Sequence, residues 1–310
     1  MERLVVDGLR RAPKQLPAWL LYDATGSQLF DAICEQPEYS LTRTETALLN
    51  ARATTLAAAL GAGVLVDFGA GSARKVGPLL RALKPPAYVA LDISLDHLGE
   101  ACRNLQQQHP AVPVLGICCD YSTLERLPDH PLLEGSRRLG FYPGSSLGNF
   151  EPETAVALLR QFQHLLGPES RLLIGIDQPK AVARLEAAYN DAAGVSAAFA
   201  CNLLHRLNRD LHAAFEPERF RYRAWWDAQA SRIAMALVSG QSQTVTVAGE
   251  AIPFAEGEPL ITEYSYKYTP EAFRQLAARA GWRTVERWSD PDDDLSLHLL
   301  AQADSGQCAT

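Results

Sequence analysis

The 310-residue sequence lacks the features of several specialised classes of protein. No uninterrupted apolar run reaches the length of about 18 residues that a transmembrane helix needs. The N-terminus lacks the long apolar centre and small-residue cleavage site of a secretory signal. The seven histidines are scattered, without HExxH or a related ligand spacing, so we expect no metal site. We therefore expect a soluble, cytoplasmic protein that does not act at a membrane.

An excess of basic charge is also missing. The net charge is −7 and the isoelectric point is about 5.5, whereas nucleic-acid binders have basic surfaces and higher isoelectric points. We therefore expect no nucleic-acid partner. No CxxC pair occurs among the cysteines, which we expect to be free thiols of a reducing compartment. The cysteines are Cys34, Cys102, Cys118, Cys119, Cys201 and Cys308.

The sequence does contain an alternation of short apolar runs and helical patterns from residue 44 to about 180. This alternation predicts a parallel sheet with helices on both faces. The strands are predicted at 64–68, 88–93, 112–120, 138–144 and 171–177, and the helices at 44–60, 75–83, from about 94, and 152–164. Near the end of the chain, a helix at 269–281 precedes two strands at 282–289 and 295–302, joined by the acidic turn DPDDD.

The segment between these two blocks differs in character. Residues 180–213 have a helical pattern, and residues 217–267 have the pattern of β-strands with glycine turns. We expect this segment to form a second, smaller α+β domain from 1–43 and 180–267, beside a first domain from 44–179 and 268–310. Because open α/β sheets bind ligands at the carboxyl ends of their strands, we expect the second domain to cover that edge.

A glycine turn follows the first predicted strand, in the segment VDFGAGSARK. The strand ends at the acid Asp67, and Gly69 and Gly71 lead into a helix. Glycines let a ligand approach the backbone closely, and N–H groups at a helix start can face its polar groups. The turn is not GxGxxG, which argues against a dinucleotide enzyme, and it resembles the first motif of class I methyltransferases.

Acidic residues also lie at the ends of the second and third predicted strands. Asp92 lies 25 residues after Asp67, near the interval expected for an acid that binds ribose hydroxyls, although it could instead cap the next helix. Asp120 could accept the adenine amino proton while Tyr121 covers the ring. Alternatively, Asp120 is a turn residue at a strand end. Three such acids in succession favour an adenosine site.

At this point the chain resembles the histidine Nα-methyltransferases of ergothioneine biosynthesis, the EgtD family, almost from end to end. The resemblance implies an α/β fold with a class I, Rossmann-like methyltransferase sheet and a smaller α+β substrate-binding domain. Five parallel strands and a final hairpin fit that sheet by fold analogy. The matching segments are YDATGSQLFDAICEQPEYSLTRTE (22–45), VDFGAGSARK (66–75), ALDIS (90–94), YPGSSLGNF (142–150), AYND (188–191) and TEYSYKY (262–268).

The resemblance also implies roles for individual residues. Those expected to contact S-adenosylmethionine are Gly69, Lys75, Asp92, Asp120 and Tyr121. Those expected to hold the amino-acid head group are Tyr39, Gly144, Asn149 and Tyr189. Tyr22 would lie near the reacting amine, with Asn149 also orienting it. Glu263 and Ser265 would address the imidazole, with Met235 in the side-chain pocket.

Several of these residues have a plainer interpretation as well. Tyr39 and Tyr189 could pack against helices, Asn149 could be a turn residue, and Met235 could belong to the core. The bulky Tyr264 and Tyr266 flank Ser265 and would enter the pocket if the strand register were shifted by one residue. Glu263 would need a polar partner if it is buried, and it would be only a surface acid if its face is exposed.

We expect S-adenosylmethionine as co-substrate, no metal, and N-methylation of the α-amine of free L-histidine by a monomer. The trimethylated betaine, hercynine, is the expected product. Two alternatives remain open. The substrate could be another aromatic amino acid of the tryptophan or tyrosine type, or the chain could be a silent adenosine-binding module.

Overall fold

The computed structural model describes residues 1–303 as two compact units. The large-sheet unit comprises Leu41–Pro179 and Lys267–Thr310, of which residues after 303 are not described. The small-sheet unit comprises Met1–Ser40 and Lys180–Tyr266. The N-terminal segment and the internal insertion are therefore parts of one unit, although 139 residues of chain separate them.

The strands of residues 1–303 are divided in blocks between these two units. They are β1 (Lys14–Gln15), β2 (Val64–Phe68), β3 (Tyr88–Asp92), β4 (Val114–Cys118), β5 (Arg138–Tyr142), β6 (Arg171–Asp177), β7 (Phe220–Asp227), β8 (Arg232–Ser239), β9 (Gln243–Val247), β10 (Glu250–Phe254), β11 (Pro259–Tyr266), β12 (Trp282–Ser289) and β13 (Leu295–Gln302).

The α-helices are likewise divided between the units. They are α1 (Glu2–Leu9), α2 (Ala24–Cys34), α3 (Leu41–Leu60), α4 (Gly77–Leu83), α5 (Leu95–Gln108), α6 (Pro152–Leu166), α7 (Val182–Ala188), α8 (Val195–Leu211) and α9 (Pro270–Arg279).

The large-sheet unit is built on a seven-stranded sheet in the order β12-β13-β6-β5-β2-β3-β4. The pairs β5–β6, β5–β2, β2–β3 and β3–β4 are parallel, and β13 runs antiparallel to both β6 and β12. Central strands such as β2 are buried at every residue, as expected for strands covered on both faces. The predicted parallel sheet with a final antiparallel hairpin is confirmed.

Local signals in the sequence determine where several of these elements start and stop. Thr269 accepts a hydrogen bond from the N–H of Ala272 and so caps α9, with Pro270 at the first helical position. The prediction for β4 was too long, because the strand ends at Cys118. Asp120 therefore lies two residues beyond the strand, in the turn that follows, and does not end it.

The small-sheet unit contains a four-stranded sheet in the order β1-β11-β8-β7 and a separate hairpin of β9 and β10. The short N-terminal β1 runs parallel to β11, which accounts for the N-terminal segment and the insertion forming one unit. Strand β11 pairs antiparallel with β8, with Glu263 opposite Met235 and Ser265 opposite Ile233. The register shifts between Ile261 and Glu263, so one residue is inserted just before the polar positions.

Three further observations hold for residues 1–303. No helix there is both long and apolar enough to cross a membrane. No group of three or more His, Cys, Asp or Glu side chains there has the arrangement of a metal site. The cysteines described there are free thiols, and Cys308 lies outside the described residues.

Candidate functional site

The glycine turn after β2 is held by the acid that ends β3. Gly69 and Gly71 have φ angles of +72° and +54°, a left-handed conformation that other residues rarely adopt. The N–H of Gly71 donates to Asp92 Oδ2 at 2.9 Å, and the N–H of Ser94 donates to Asp92 Oδ1 at 3.0 Å. Asp92 thus fixes both the glycine turn and the start of α5, and its role toward the ribose hydroxyls remains a prediction.

The space in front of the turn suits a ligand that approaches the backbone closely. An ideal Cβ placed on Gly71 would meet no heavy atom of the described residues within 4 Å. On Gly69, the nearest atom would be the hydroxyl of Tyr121 at 3.5 Å. The turn after β4, which carries Tyr121, therefore lies next to the glycine turn after β2. This proximity is what we expect of an adenosine site.

Tyr121 is positioned by other aromatic rings. It makes edge contacts with Phe68 and Tyr142, with ring centroids 5.9 and 6.2 Å apart, and its buried surroundings raise the pKa of the phenol to about 12. Asp120 is exposed, and its Oδ1 accepts from the N–H and hydroxyl of Ser122. This geometry fits the alternative interpretation of Asp120 as a turn residue, and its role toward adenine remains a prediction.

Asp67 is a buried acid beneath the turn. It is 2% exposed, and its Oδ2 accepts from the hydroxyl of Tyr88 at 2.7 Å. Its Oδ1 has no hydrogen-bond partner within the described part of the chain. Burial raises the pKa of Asp67 to about 7, the Tyr88 hydroxyl opposes that rise, and the charge of Asp92 adds to it. Asp67 therefore changes its charge near neutral pH.

Glu45 was not among the residues predicted from the sequence, although it is the last residue of the segment TRTE. Its carboxylate is fully buried in the large-sheet unit. The N–H of Gly144 donates to Oε1 and Oε2 of Glu45 at 2.8 and 2.9 Å, and Lys75 Nζ lies 2.8 Å from Oε2. Glu45 thus contacts a residue predicted to bind the cofactor and one predicted to bind the amino acid.

The loop after β5 carries two left-handed residues in succession. Gly144 has a φ of +81° and Ser145 a φ of +56°. The N–H of Asp177, at the end of β6, donates to Ser145 Oγ at 2.9 Å. A short 3₁₀ helix, Ser146–Asn149, follows and ends at the predicted head-group residue Asn149. The loop is therefore held by two groups from outside it, the backbone N–H of Asp177 and the carboxylate of Glu45.

In the small-sheet unit, four predicted or neighbouring aromatic residues form a chain of edge contacts. Tyr22 contacts Phe30 with centroids 5.6 Å apart, Phe30 contacts Tyr39 at 6.4 Å, and Tyr39 contacts Tyr189 at 5.9 Å. Phe199 on α8 completes the group by contacting Tyr22 at 5.4 Å. Sequence reasoning missed Phe30, although it lies in the same segment as Tyr22 and at a helix position.

The polar pair predicted to address the substrate side chain lies on one face of the small sheet. Glu263 and Ser265 are 9% and 4% exposed. Ser265 Oγ lies 2.9 Å from the hydroxyl of Tyr189. Burial and the charge of Glu263 raise the pKa of Tyr222 well above its usual value. The carboxylate, the two hydroxyls and the phenol of Tyr222 therefore form a compact polar group within this unit.

The wall beside that polar group is apolar. Met235 is directly opposite Glu263 on β8, and it packs in a cluster with Leu185, Ala224 and Ile233. Met235 is thus a core residue, as its plainer interpretation proposed, and it is also a neighbour of Glu263.

Tyr264 and Tyr266 point to the opposite face of β11. The guanidinium of Arg232 lies 3.6 Å from the centre of the Tyr264 ring and donates to the hydroxyl of Tyr266 at 2.7 Å. Asp227 accepts from Arg232 at 3.1 Å. These contacts hold both rings away from the face that carries Glu263 and Ser265.

The sheet order, with its glycine turn after the first of five parallel strands, is that of class I S-adenosylmethionine-dependent methyltransferases. The PH0226 protein of Pyrococcus horikoshii has this fold, with a TM-score of 0.51 at 13% identity over 89% of this chain and 97% of its own. A family described as "Histidine-specific methyltransferase, SAM-dependent" matches residues 1–302. The chain belongs to this family and is a methyltransferase.

Characterised relatives match over nearly the full length. The histidine N-alpha-methyltransferase of Mycolicibacterium smegmatis is 37% identical over 97% of this chain and 95% of its own. The protein of the same name from Mycobacterium tuberculosis is 35% identical over the same shares. The 4-dimethylallyltryptophan N-methyltransferase of Epichloe festucae is 27% identical over 96% of this chain and 93% of its own.

Proposed function

We propose that this protein transfers methyl groups from S-adenosylmethionine to the α-amine of L-histidine and continues to the trimethylated betaine, hercynine. Membership of the histidine-specific family supports the donor and the substrate class. The observation that carries the choice of histidine is the buried pair of Glu263 and Ser265 on one strand face, with Tyr189 hydrogen-bonded to Ser265.

The polar pair matches the chemistry of a neutral imidazole, which has one N–H donor and one acceptor nitrogen. The Glu263 carboxylate can accept the imidazole N–H. The Ser265 hydroxyl can donate to the other nitrogen while accepting from Tyr189. A phenyl ring would leave both groups without partners, at a cost of about 1–3 kcal/mol for each buried group. An indole offers a donor but no acceptor, and it is larger.

The glycine turn and the residues around it would hold the co-substrate. Gly69 and Gly71 leave room for close approach, Asp92 would accept the ribose hydroxyls, and Tyr121 would cover the adenine. Asp120 would accept the adenine amino proton, and Lys75 would pair with the carboxylate of the methionine part. When bound, S-adenosylmethionine supplies a methyl group on a sulfonium sulfur, open to in-line attack by an amine nitrogen.

The chain's own residues orient the amine that attacks. Asn149 and Gly144 would bind the head group, and the hydroxyls of Tyr22, Tyr39 and Tyr189 would direct the nitrogen lone pair. The amine has to be uncharged to react, and alignment of the two reactants is the main contribution of the protein. Fixed alignment converts a reaction between two free molecules into one within a complex.

Repeated methylation produces an ammonium that can no longer donate a hydrogen bond. The ring of Phe30 contacts the rings of Tyr22 and Tyr39 edge to face. These three rings can attract such a cation by cation–π interaction, worth roughly 0.5–2 kcal/mol. This aromatic group supports a trimethylated product rather than a single transfer.

We further propose a cytoplasmic monomer that acts on the free amino acid and needs neither a metal ion nor a nucleic acid. The acidic net charge of −7 supports the absence of nucleic acid from the reaction. Gel filtration with light scattering, and activity in the presence of a chelator, test the monomer and the independence from metal.

The deciding experiment is a methyl-transfer screen over the free aromatic amino acids, read by mass spectrometry. We expect histidine to gain up to three methyl groups and tryptophan, tyrosine and phenylalanine to gain none at matched concentrations. Preferred methylation of tryptophan or tyrosine would show that this amino acid, and not histidine, is the substrate. Calorimetric binding of S-adenosylhomocysteine without any methyl transfer would indicate a silent module.

A further inference from the structure

The carboxylate of Glu45 joins two parts of the large-sheet unit that are far apart in sequence. Glu45 lies on α3 and is 0% exposed. Its charge is balanced by Lys75, whose ammonium is 2.8 Å from Oε2, and both of its oxygens accept from the N–H of Gly144. A buried carboxylate with a cation and a peptide N–H as partners is held firmly. If the carboxylate lost either partner, its charge would remain buried without compensation.

Strand β6 is shaped to admit this carboxylate. An ideal Cβ placed on Gly175 would collide with Glu45 Oε1, and it would lie 3.3 Å from the nitrogen of Gly144. Only glycine leaves the space that Glu45 occupies. The absence of a side chain at one position of a buried central strand therefore accounts for the close approach of α3, β6 and the loop after β5.

The loop held by Glu45 needs external support. Gly144 and Ser145 are both left-handed, and the conformation of Ser145 is costly for a residue with a side chain. An ideal Cβ at Gly144 would also lie 3.0 Å from Lys75 Nζ, so the loop and the lysine side chain are in contact range. Lys75 and Gly144 therefore share the Glu45 carboxylate as a partner.

We propose that Glu45 is a positioning residue that couples the binding of the co-substrate to the binding of the amino acid. It fixes the Lys75 ammonium and the Gly144 loop in one arrangement, so that occupation of one site favours the conformation that the other ligand needs. This inference rests on the proposed function, which assigns Lys75 to the co-substrate and Gly144 to the amino acid.

The test measures this coupling directly by calorimetry. L-Histidine is titrated into the protein with and without saturating S-adenosylhomocysteine, which replaces the reactive donor. We expect S-adenosylhomocysteine to tighten histidine binding at least fivefold in the wild type. By linkage, histidine has to tighten the binding of S-adenosylhomocysteine by the same factor, which gives an internal check.

The decisive variant is Glu45→Gln, which keeps the size of the side chain and removes its charge. An amide has one acceptor oxygen and an NH₂ group, so it cannot accept from both Lys75 and Gly144 in the same way. We expect each ligand alone to bind about tenfold more weakly and the coupling factor to fall to about one. A purely structural role would lower the melting temperature and leave the coupling factor unchanged.

A second variant keeps the result decisive if Glu45→Gln does not fold. Gly175→Ala leaves every charge in place and displaces the Glu45 carboxylate by a methyl group, so it should also bring the coupling factor to about one. The matched control is Gly140→Ala on the neighbouring strand β5, where the three heavy atoms nearest to an ideal Cβ are side-chain atoms of Leu166, Leu172 and Phe68. It should alter stability and leave the coupling factor as in the wild type.

The outcomes separate this proposal from the proposed function. If the wild type binds both ligands without coupling, or if either test variant folds and retains the wild-type coupling factor, the role of Glu45 is refuted while histidine methylation stands. If the wild type binds S-adenosylhomocysteine but not histidine, the proposed function itself fails.

Discussion

The two sheets of this protein carry their polar residues in different places. In the large-sheet unit, Asp92 ends a buried parallel strand, and the glycine turn and the Gly144 loop follow two others. In the small-sheet unit, Glu263 and Ser265 lie within an antiparallel strand whose other residues are mostly buried and apolar or aromatic. The polar residues of the large-sheet unit thus lie at strand ends, and those of the small-sheet unit lie on one face of a strand.

This difference determines how much freedom each site has to vary. At strand ends, backbone N–H groups and short loops supply most of the contacts, and the same arrangement suits one co-substrate in many enzymes. On a strand face, each side chain has a fixed direction and fixed cross-strand neighbours, so the identity of a single residue decides which ligand fits. We therefore expect the large-sheet unit to bind the common donor and the small-sheet unit to select the particular acceptor.

The sharpest way to test this division is Glu263→Ala. Because sites that bond a polar group of a substrate can reject analogues lacking it by several orders of magnitude, we expect the preference for histidine over tryptophan to fall about a thousandfold. A competition assay with equal amounts of both amino acids measures the preference. Tyr264→Phe is the matched control, since Tyr264 lies on the opposite face of the same strand. An unchanged preference in Glu263→Ala would remove the imidazole assignment.

The buried acid Asp67 in the large sheet should instead make the stability of the protein depend on pH. The pKa of Asp67 is raised from 3.8 to about 7, so the folded state binds the proton more tightly than the unfolded state. The free energy of unfolding therefore falls as pH rises from about 4 to 7. Asp67→Asn removes this loss, and we expect it to stabilise the ligand-free protein by about 4 kcal/mol at pH 8 and very little below pH 4.

Urea unfolding at both pH values measures this effect. As a contrasting variant, Tyr88→Phe removes the hydroxyl that donates to Asp67 and opposes the rise in its pKa. It should make the loss of stability between pH 4 and 8 larger. A wild-type stability that is flat over this range would show that Asp67 does not titrate there.

The next effect concerns binding of the co-substrate alone. Asp92→Ala removes the acceptor for Gly71 and Ser94 as well as the predicted ribose contacts, so we expect S-adenosylhomocysteine to bind about 10- to 100-fold more weakly. Calorimetry gives the dissociation constant, and circular dichroism checks the fold. Asp96→Ala, an exposed acid in the first turn of α5, should bind as tightly as the wild type. Unchanged affinity in Asp92→Ala would contradict the ribose assignment.

The smallest expected effect falls on Asn149, which lies in the large-sheet unit but is assigned to the amino acid. We expect Asn149→Ala to raise the KM for histidine about tenfold through loss of hydrogen bonds to the head group, with little change in the affinity for S-adenosylhomocysteine. Steady-state kinetics and calorimetry on the same preparation compare the two ligands. A loss of co-substrate affinity with an unchanged KM would reverse the assignment of this loop.

The sequence by itself determined the elements of the large sheet. The runs at β2, β6, β12 and β13 were predicted to the residue, because glycine turns, helix caps and the DPDDD turn are local signals in the sequence. All of these strands except β12 are also largely buried. The same local sequence signals located the glycine turn and Asp92. They failed at β4, where the apolar pattern continues through Cys119 but pairing with β3 stops at Cys118.

Only the tertiary structure decided which residues that are distant in sequence contact one another. No local pattern shows that Glu45 on a helix and Gly175 on a strand share one space, because a missing side chain leaves no sign of what fills its place. The shift of register before Glu263 is equally invisible, although it sets which face of β11 carries the polar pair. Periodicity along a chain records burial, whereas partners distant in sequence are selected by the packing of the whole fold.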